Sequence, residues 1–160
     1  MRTRGAGFPF RAHRYPSQQE TAMNPYLSFV NGGCKPAFDL YQAVFGATCV
    51  FAHTYADSPM AEHAPDGDAS RIMHATLRFP DGALLMGADM SEAHARPFGG
   101  FSLSVNAPTP EDAERWFNGI SAGGQVTMPL EKTFWAERFG MCIDRFGVPW
   151  MISVEHGKEA

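Results

Sequence analysis

A chain of 160 residues with 44% hydrophobic and 19% charged residues holds enough apolar material for one domain with a real core, and too much for a body that stays disordered. Its formal net charge of −4 is unevenly spread: residues 1–22 carry Arg2, Arg4, Arg11 and Arg14 against Glu20, which leaves −7 on the remainder. With no basic cluster to track a phosphate backbone and no run of roughly 18–20 apolar residues, neither nucleic acid nor a membrane is an expected partner.

Residues 1–22 mix those arginines with Gly, Pro, Ser and Gln, and show neither a signal-peptide core nor a convincing amphipathic transit helix. They are expected to be either a disordered extension or a non-native one, in which case the natural chain starts at Met23. Residues 25–31 predict a strand, punctuated by Gly32-Gly33. From Pro36 to Phe45, the apolar positions Ala37, Phe38, Tyr41, Val44 and Phe45 share one helical face, and Gly46 supplies a left-handed stop. Residues 48–55 predict a strand and 56–70 a polar loop. Strands follow over 72–79 and 83–88, joined at Pro80-Asp81-Gly82. After Gly99-Gly100 comes a strand over 101–106. Thr109-Pro110-Glu111-Asp112 then opens a helix with a hydroxyl cap, a first-turn proline and two acids. Ala113, Trp116, Phe117 and Ile120 form its buried stripe, and Gly123-Gly124 ends it. The last strands are expected over 125–131, 137–143 and 149–154.

The order strand, helix, strand, strand, strand therefore occurs twice, and the residues repeat as well. Tyr26-Leu27-Ser28-Phe29-Val30-Asn31 matches Phe101-Ser102-Leu103-Ser104-Val105-Asn106 at an offset of 75. Phe79–Met86 resembles Asp144–Met151 at an offset of 65. One domain is expected over 23–156, with module one at 24–89, a linker at 90–99 and module two at 100–155. Cys34, Cys49 and Cys142 have no metal or redox spacing, so they read as free thiols in a reducing cytoplasm.

These features resemble the vicinal oxygen chelate superfamily of glyoxalase I, extradiol dioxygenases and bleomycin-resistance proteins. Within it the chain is most similar to the PhnB-like branch, which carries a 3-demethylubiquinone methyltransferase label. The matching motifs are Pro25–Phe29, Phe38–Ala47, Phe134-Trp135-Ala136-Glu137-Arg138-Phe139-Gly140 and Asp144–Met151. The resemblance implies an α+β fold: paired βαβββ modules forming a curved eight-stranded mixed sheet around a cleft, helices outside, commonly as a homodimer.

Metal-dependent relatives place His, Gln or Glu on the first and last strand of each module. The resemblance puts Tyr26, Met86, Phe101 and Met151 at those places, with Gly100 replacing Phe101 if the register slips by one. Two thioethers, a phenol and a phenyl ring do not hold Zn²⁺, Fe²⁺ or Ni²⁺, so no metal or other cofactor is expected. That argues against glyoxalase or dioxygenase chemistry. The missing G-x-G-x-x-G turn argues against a Rossmann-type methyltransferase.

Strand alternation from Met86 and Met151 then names a cleft lining: Tyr26, Ser28, His74, Thr76, Met86, Phe101, Phe139, Met141 and Met151, with Trp135 near a rim. Ile72 is expected on the same face. Such a surface suits an organic ligand, or simply fills the interior. His74 is the candidate acid–base group, although a lone strand histidine also serves as pocket wall. Glu137-Arg138 could orient a polar ligand or form an exposed ion pair. His53, His63 and His94 are assigned to loops or their borders. Asp81 and Asp144 are expected to shape turns, and Trp150 to lie in the core. The expected function is metal-independent binding of a small molecule by a cytoplasmic homodimer. The alternatives are an isomerase or lyase using His74 with Tyr26 or Glu137, and a filled dimer that binds nothing.

Overall fold

Alternation and helical periodicity translate directly into ten elements. In the computed structural model, which describes residues 22–157, they are β1 (Tyr26–Phe29), α1 (Cys34–Phe45), β2 (Thr48–Thr54), β3 (Ile72–Arg78) and β4 (Leu84–Asp89), then β5 (Leu103–Asn106), α2 (Pro110–Ser121), β6 (Gln125–Glu131), β7 (Ala136–Ile143) and β8 (Pro149–Glu155). Of the extension expected over residues 1–22, residues 1–21 lie outside those described. The fold is α+β with two βαβββ modules, as expected.

The helix ends follow from local chemistry. Gly46, at φ 71°, closes α1 in the left-handed region and donates its N–H to Gln42 O at 3.0 Å. Thr109 caps α2 by accepting the Asp112 N–H at 3.1 Å, with Pro110 in the first turn.

The strands assemble in the orders β1-β4-β3-β2 and β5-β8-β7-β6. In each sheet the first pair is parallel and the others antiparallel. The eight strands thus make two separate four-stranded sheets, and within one chain the helices lie between them. α1 packs on β2, β3 and β4, α2 packs on β6, β7 and β8, and the two helices touch. Gly119 on α2 permits that approach, since a Cβ there would stand 2.9 Å from the Val44 side chain. Each sheet also keeps a glycine beneath its helix: Gly87 under Phe38 and Gly140 under Phe117, where a Cβ would come within 2.9 and 2.8 Å of the rings.

The seam between modules is aromatic, with one buried charge. Phe45 of α1 lies 4.9 Å from the Trp150 ring and 5.3 Å from Trp116. Asp144, only 2% exposed, accepts four hydrogen bonds: Tyr41 Oη (2.6 Å) and Trp150 Nε1 (2.9 Å) on Oδ2, and the N–H groups of Phe146 (2.8 Å) and Val148 (3.0 Å) on Oδ1. A buried carboxylate is tolerable when its lone pairs are filled in this way. The residue does shape its turn, and it also ties α1 of one module to the sheet of the other. Burial and the neighbouring Asp144 charge push the Tyr41 phenol far above its ordinary range, so it remains a donor. Trp150 is core, as expected.

Candidate functional site

Leu27, Phe29, Ala75, Leu77 and Leu85 are buried on the α1 side of the first sheet, so the alternate residues stand on its outer face. Because the helices occupy the middle, the outer faces of the two sheets point away from each other within one chain.

On the first outer face, Tyr26 lies opposite Met86, Met86 opposite Thr76, and Thr76 opposite Phe51. Ser28 shares the face by alternation. Tyr26 Oη and His74 Nδ1 share a hydrogen bond at 3.0 Å, and His74 Nε2 and Thr76 Oγ1 another at 3.2 Å. The imidazole is therefore held at both nitrogens, and its tautomer decides which partner donates. Tyr26 and His74 also stack at 5.5 Å. Burial, then Cys34 and Tyr55, raise the Tyr26 phenol above its ordinary range, which keeps it a hydroxyl at neutral pH.

His53 pairs directly across from His74, and Phe51 stacks on His53 at 4.5 Å while lying 5.6 Å from His74. The sequence reading left His53 out of the site. Alternation Phe51, His53, Tyr55 could have placed it on one face of β2, but the register across the long 56–70 loop is not written in the residues. Ile72 is corrected in the opposite sense. A register shift between His53 and Thr54 turns it into the core, at 7% exposure. His63 and His94 sit exposed in short 3₁₀ turns away from this face.

On the second outer face, Met151 stands between Met141 and Ser104, Met141 faces Met128, and Phe139 lies between Ser153 and Glu131. Trp135 packs edge-on to Phe139 at 5.4 Å and to Phe134 at 4.8 Å, and Phe134 is 93% exposed. Glu137 is surrounded by Arg138 Nη1 and His156 Nδ1, each at 3.5 Å, and by Lys132 Nζ at 3.9 Å. The Glu137–Arg138 pair is thus part of a half-exposed cluster.

The register corrects one site residue. Tyr26 is opposite Met86, whereas Met151 is opposite Ser104. Phe101 precedes β5 and packs on Phe98 at 6.4 Å. The 75-residue sequence match slid the fifth strand by three positions, an odd shift that turns Leu103 and Val105 outward, whereas the pairing with β8 sets both against the core. The places where metal-dependent relatives hold ligands therefore carry Tyr26, Met86, Ser104 and Met151. A phenol, a hydroxyl and two thioethers do not suit a divalent transition metal. Among the described residues no group of three or more His, Cys, Asp and Glu gathers.

A groove of about 1230 Å³ runs along the seam past Pro25, Phe45, Phe79, Val105 and Trp116. It contains none of the expected lining residues, and its volume is an open trough beside the helices. The hydrogen-bonded Tyr26–His74–Thr76 chain lies outside this groove, on the first outer face.

A sequence profile described as the Glyoxalase/Bleomycin resistance protein/Dioxygenase superfamily matches residues 25–152. Protein YjdN of Escherichia coli (strain K12) is 35% identical over 140 residues, covering 82% of this chain and 94% of its own. Among solved structures, protein PA1353 from Pseudomonas aeruginosa is 40% identical with a TM-score of 0.76, covering 86% of this chain and 99% of that one. The PhnB protein from Bacillus cereus is 26% identical with a TM-score of 0.72, covering 84% and 99%. Among the described residues, no helix is long and apolar enough to cross a membrane.

Proposed function

The chain belongs to the glyoxalase, bleomycin resistance protein and dioxygenase superfamily, and from that premise we propose that it is a metal-independent small-molecule-binding protein acting as a cytoplasmic homodimer. The observation that carries this reading is the pair of outward faces. One presents Tyr26, Phe51, His53, His74, Thr76 and Met86; the other presents Met128, Met141, Met151, Phe139 and Trp135. Both expose large apolar side chains, with Tyr26 48% and Phe51 45% accessible on the first, and Met128 41% and Trp135 52% on the second. Exposed aromatic and thioether surface of this kind favours a covering partner.

Two unlike faces on opposite sides of one chain would propagate a filament unless the contact closes. A two-fold axis perpendicular to that direction closes it, laying the first face of each copy beside the second face of the other. Each such junction is a cleft with apolar and thioether walls and a few hydroxyl and imidazole groups, suited to a flat, largely apolar organic molecule. The absence of suitable donors at Tyr26, Met86, Ser104 and Met151 supports binding without a metal. The three free thiols, two of them buried, support a reducing compartment.

A second reading is favoured by the Tyr26–His74–Thr76 chain: an isomerase or lyase in which His74 moves a proton on a small metabolite and Tyr26 polarises it. Glu137 belongs to the other sheet and would reach His74 only across the dimer.

Sedimentation equilibrium tests the assembly, with a dimer expected and a strict monomer contradicting it. Thermal unfolding with chelator and a panel of aromatic compounds tests the binding. A compound at about 100 times its dissociation constant should stabilise the protein by about 2.7 kcal/mol; stabilisation that appears only with added Zn²⁺ or Fe²⁺ would sink the metal-independent reading. His74→Ala abolishes turnover only if the second reading holds.

A further inference from the structure

We propose that the His53–His74 pair is an acid-reading end of the cleft, and that the ligand is a small aromatic carboxylic acid or a molecule with an equivalent oxyanion. The inference rests on the cleft being a small-molecule site and adds the chemical class of what it takes.

The first outer face differs from ordinary apolar sheet surface in the kind of polar groups it offers. His53 and His74 face each other across β2 and β3, with Tyr26 Oη and Thr76 Oγ1 bonded to the two nitrogens of His74. Every one of these groups can donate a hydrogen bond, and among the described residues neither histidine forms an ion pair, whereas His156 does. Two directly opposite residues on adjacent strands have Cβ atoms about 4.5–5.5 Å apart, so one carboxylate can reach the His53 ring with one oxygen and, with the other, the Tyr26 or Thr76 hydroxyl that His74 orients. The Phe51 ring lies against both, so the aromatic part of such a ligand would meet an aromatic surface beside its acid group.

The charged and titratable surroundings are few. Tyr26 touches His74, and Tyr55 lies near Tyr26. From the loop after β2, the Asp57 charge reaches His53, but its Oδ2 is engaged by the Thr54 N–H and hydroxyl at 3.3 and 2.6 Å. In the two-fold pair the second outer face would bring Glu131 and Glu137 toward the same cleft. Glu137 is already surrounded by Arg138, Lys132 and His156, which leaves Glu131 as the competing carboxylate. An arriving acid therefore meets donors that a proton on either imidazole would turn into charge-assisted ones.

The test is calorimetric titration of the full chain with 2-naphthoate and with 2-naphthamide, at pH 6 and pH 8. The acid is expected to bind about tenfold more tightly than the amide at pH 6. That preference should fade at pH 8, and binding near pH 7 should take up about one proton, read from buffers of different ionisation enthalpy. In the double variant His53→Gln/His74→Gln the preference should collapse to within about twofold and the proton uptake should vanish, with thermal unfolding confirming the fold. Equal binding of acid and amide at pH 6 overturns the proposal and leaves the small-molecule reading standing. If neither probe binds, the reading of the cleft falls with it. A double variant that keeps the preference, and instead shifts only dimer dissociation at pH 6, would make the pair a partner for Glu131 across the interface and would also overturn the proposal.

Discussion

The two outer faces occupy equivalent places in the repeat, yet their chemistry has parted. The register places His74 where the second module has Phe139, Thr76 where it has Met141, Phe51 where it has Met128, and His53 where it has Glu131. Only the Met86 and Met151 positions agree. The helix-facing sides have stayed alike: Gly87 lies under Phe38 as Gly140 lies under Phe117. The difference has a physical reason. A close-packed face between sheet and helix admits few volumes, whereas an outer face answers only to what covers it. One face became rich in donors and the other rich in thioethers, which is the division expected of a cleft that grips a ligand by a polar end and an apolar body.

If that division is right, substitutions on the inner sides should cost far more than substitutions on the outer ones. The largest effect is expected from Asp144→Ala, which strands the Tyr41 and Trp150 donors and two backbone N–H groups in the core seam. A loss of about 3–5 kcal/mol is expected in urea unfolding; a loss below 1 kcal/mol would show that the modules do not depend on this joint. Next comes Gly140→Ala. Its Cβ would meet the Leu130 backbone at 2.9 Å as well as Phe117, while Gly87→Ala meets chiefly the far end of Phe38 and the Leu27 carbonyl. About 1–3 kcal/mol is expected for Gly140→Ala, with Gly87→Ala milder because a side chain yields more readily than a backbone. The reverse order of stabilities would break the comparison of the two inner sides.

Copying the first outer face onto the second, by Phe139→His with Met141→Thr, should change stability by no more than about 1 kcal/mol, while weakening binding of apolar aromatic probes. A cost near that of Asp144→Ala would mean that these side chains are core. A last effect, confined to alkaline solution, is a pH dependence. Burial, and then Asp144, push the Cys142 thiol up to about 11 from 9.0. A group raised in the folded state holds its proton where the unfolded chain has lost it. Stability should therefore fall as pH rises from about 9 to about 11, and Cys142→Ala should lessen that slope, the share of buried Cys34, raised in the same direction, remaining. An unchanged slope in the variant would remove Cys142 as its source.

Much of the fold was legible before any tertiary contact was known, and particular residues show why. Gly46 and Thr109-Pro110 mark helix ends through their own backbone and side-chain preferences, and the apolar stripe Ala113, Trp116, Phe117, Ile120 lies on one side of a 3.6-residue turn whatever it packs against. Strand alternation likewise put His74, Thr76 and Met86 on one face. Phe101 was misplaced because the 75-residue match was followed over the alternation of Leu103 and Val105, and Ile72 because alternation gives no sign of the register shift in β2–β3. His53 escaped notice for the same reason.

What the residues determined by themselves is the doubled βαβββ order, since propensity and periodicity are local properties. What only the tertiary structure decided is that the helices stand back to back, that Asp144 joins the modules, and that the two outer faces look in opposite directions. Those are long-range pairings, set by how Phe45, Tyr41 and Trp150 fill one shared core.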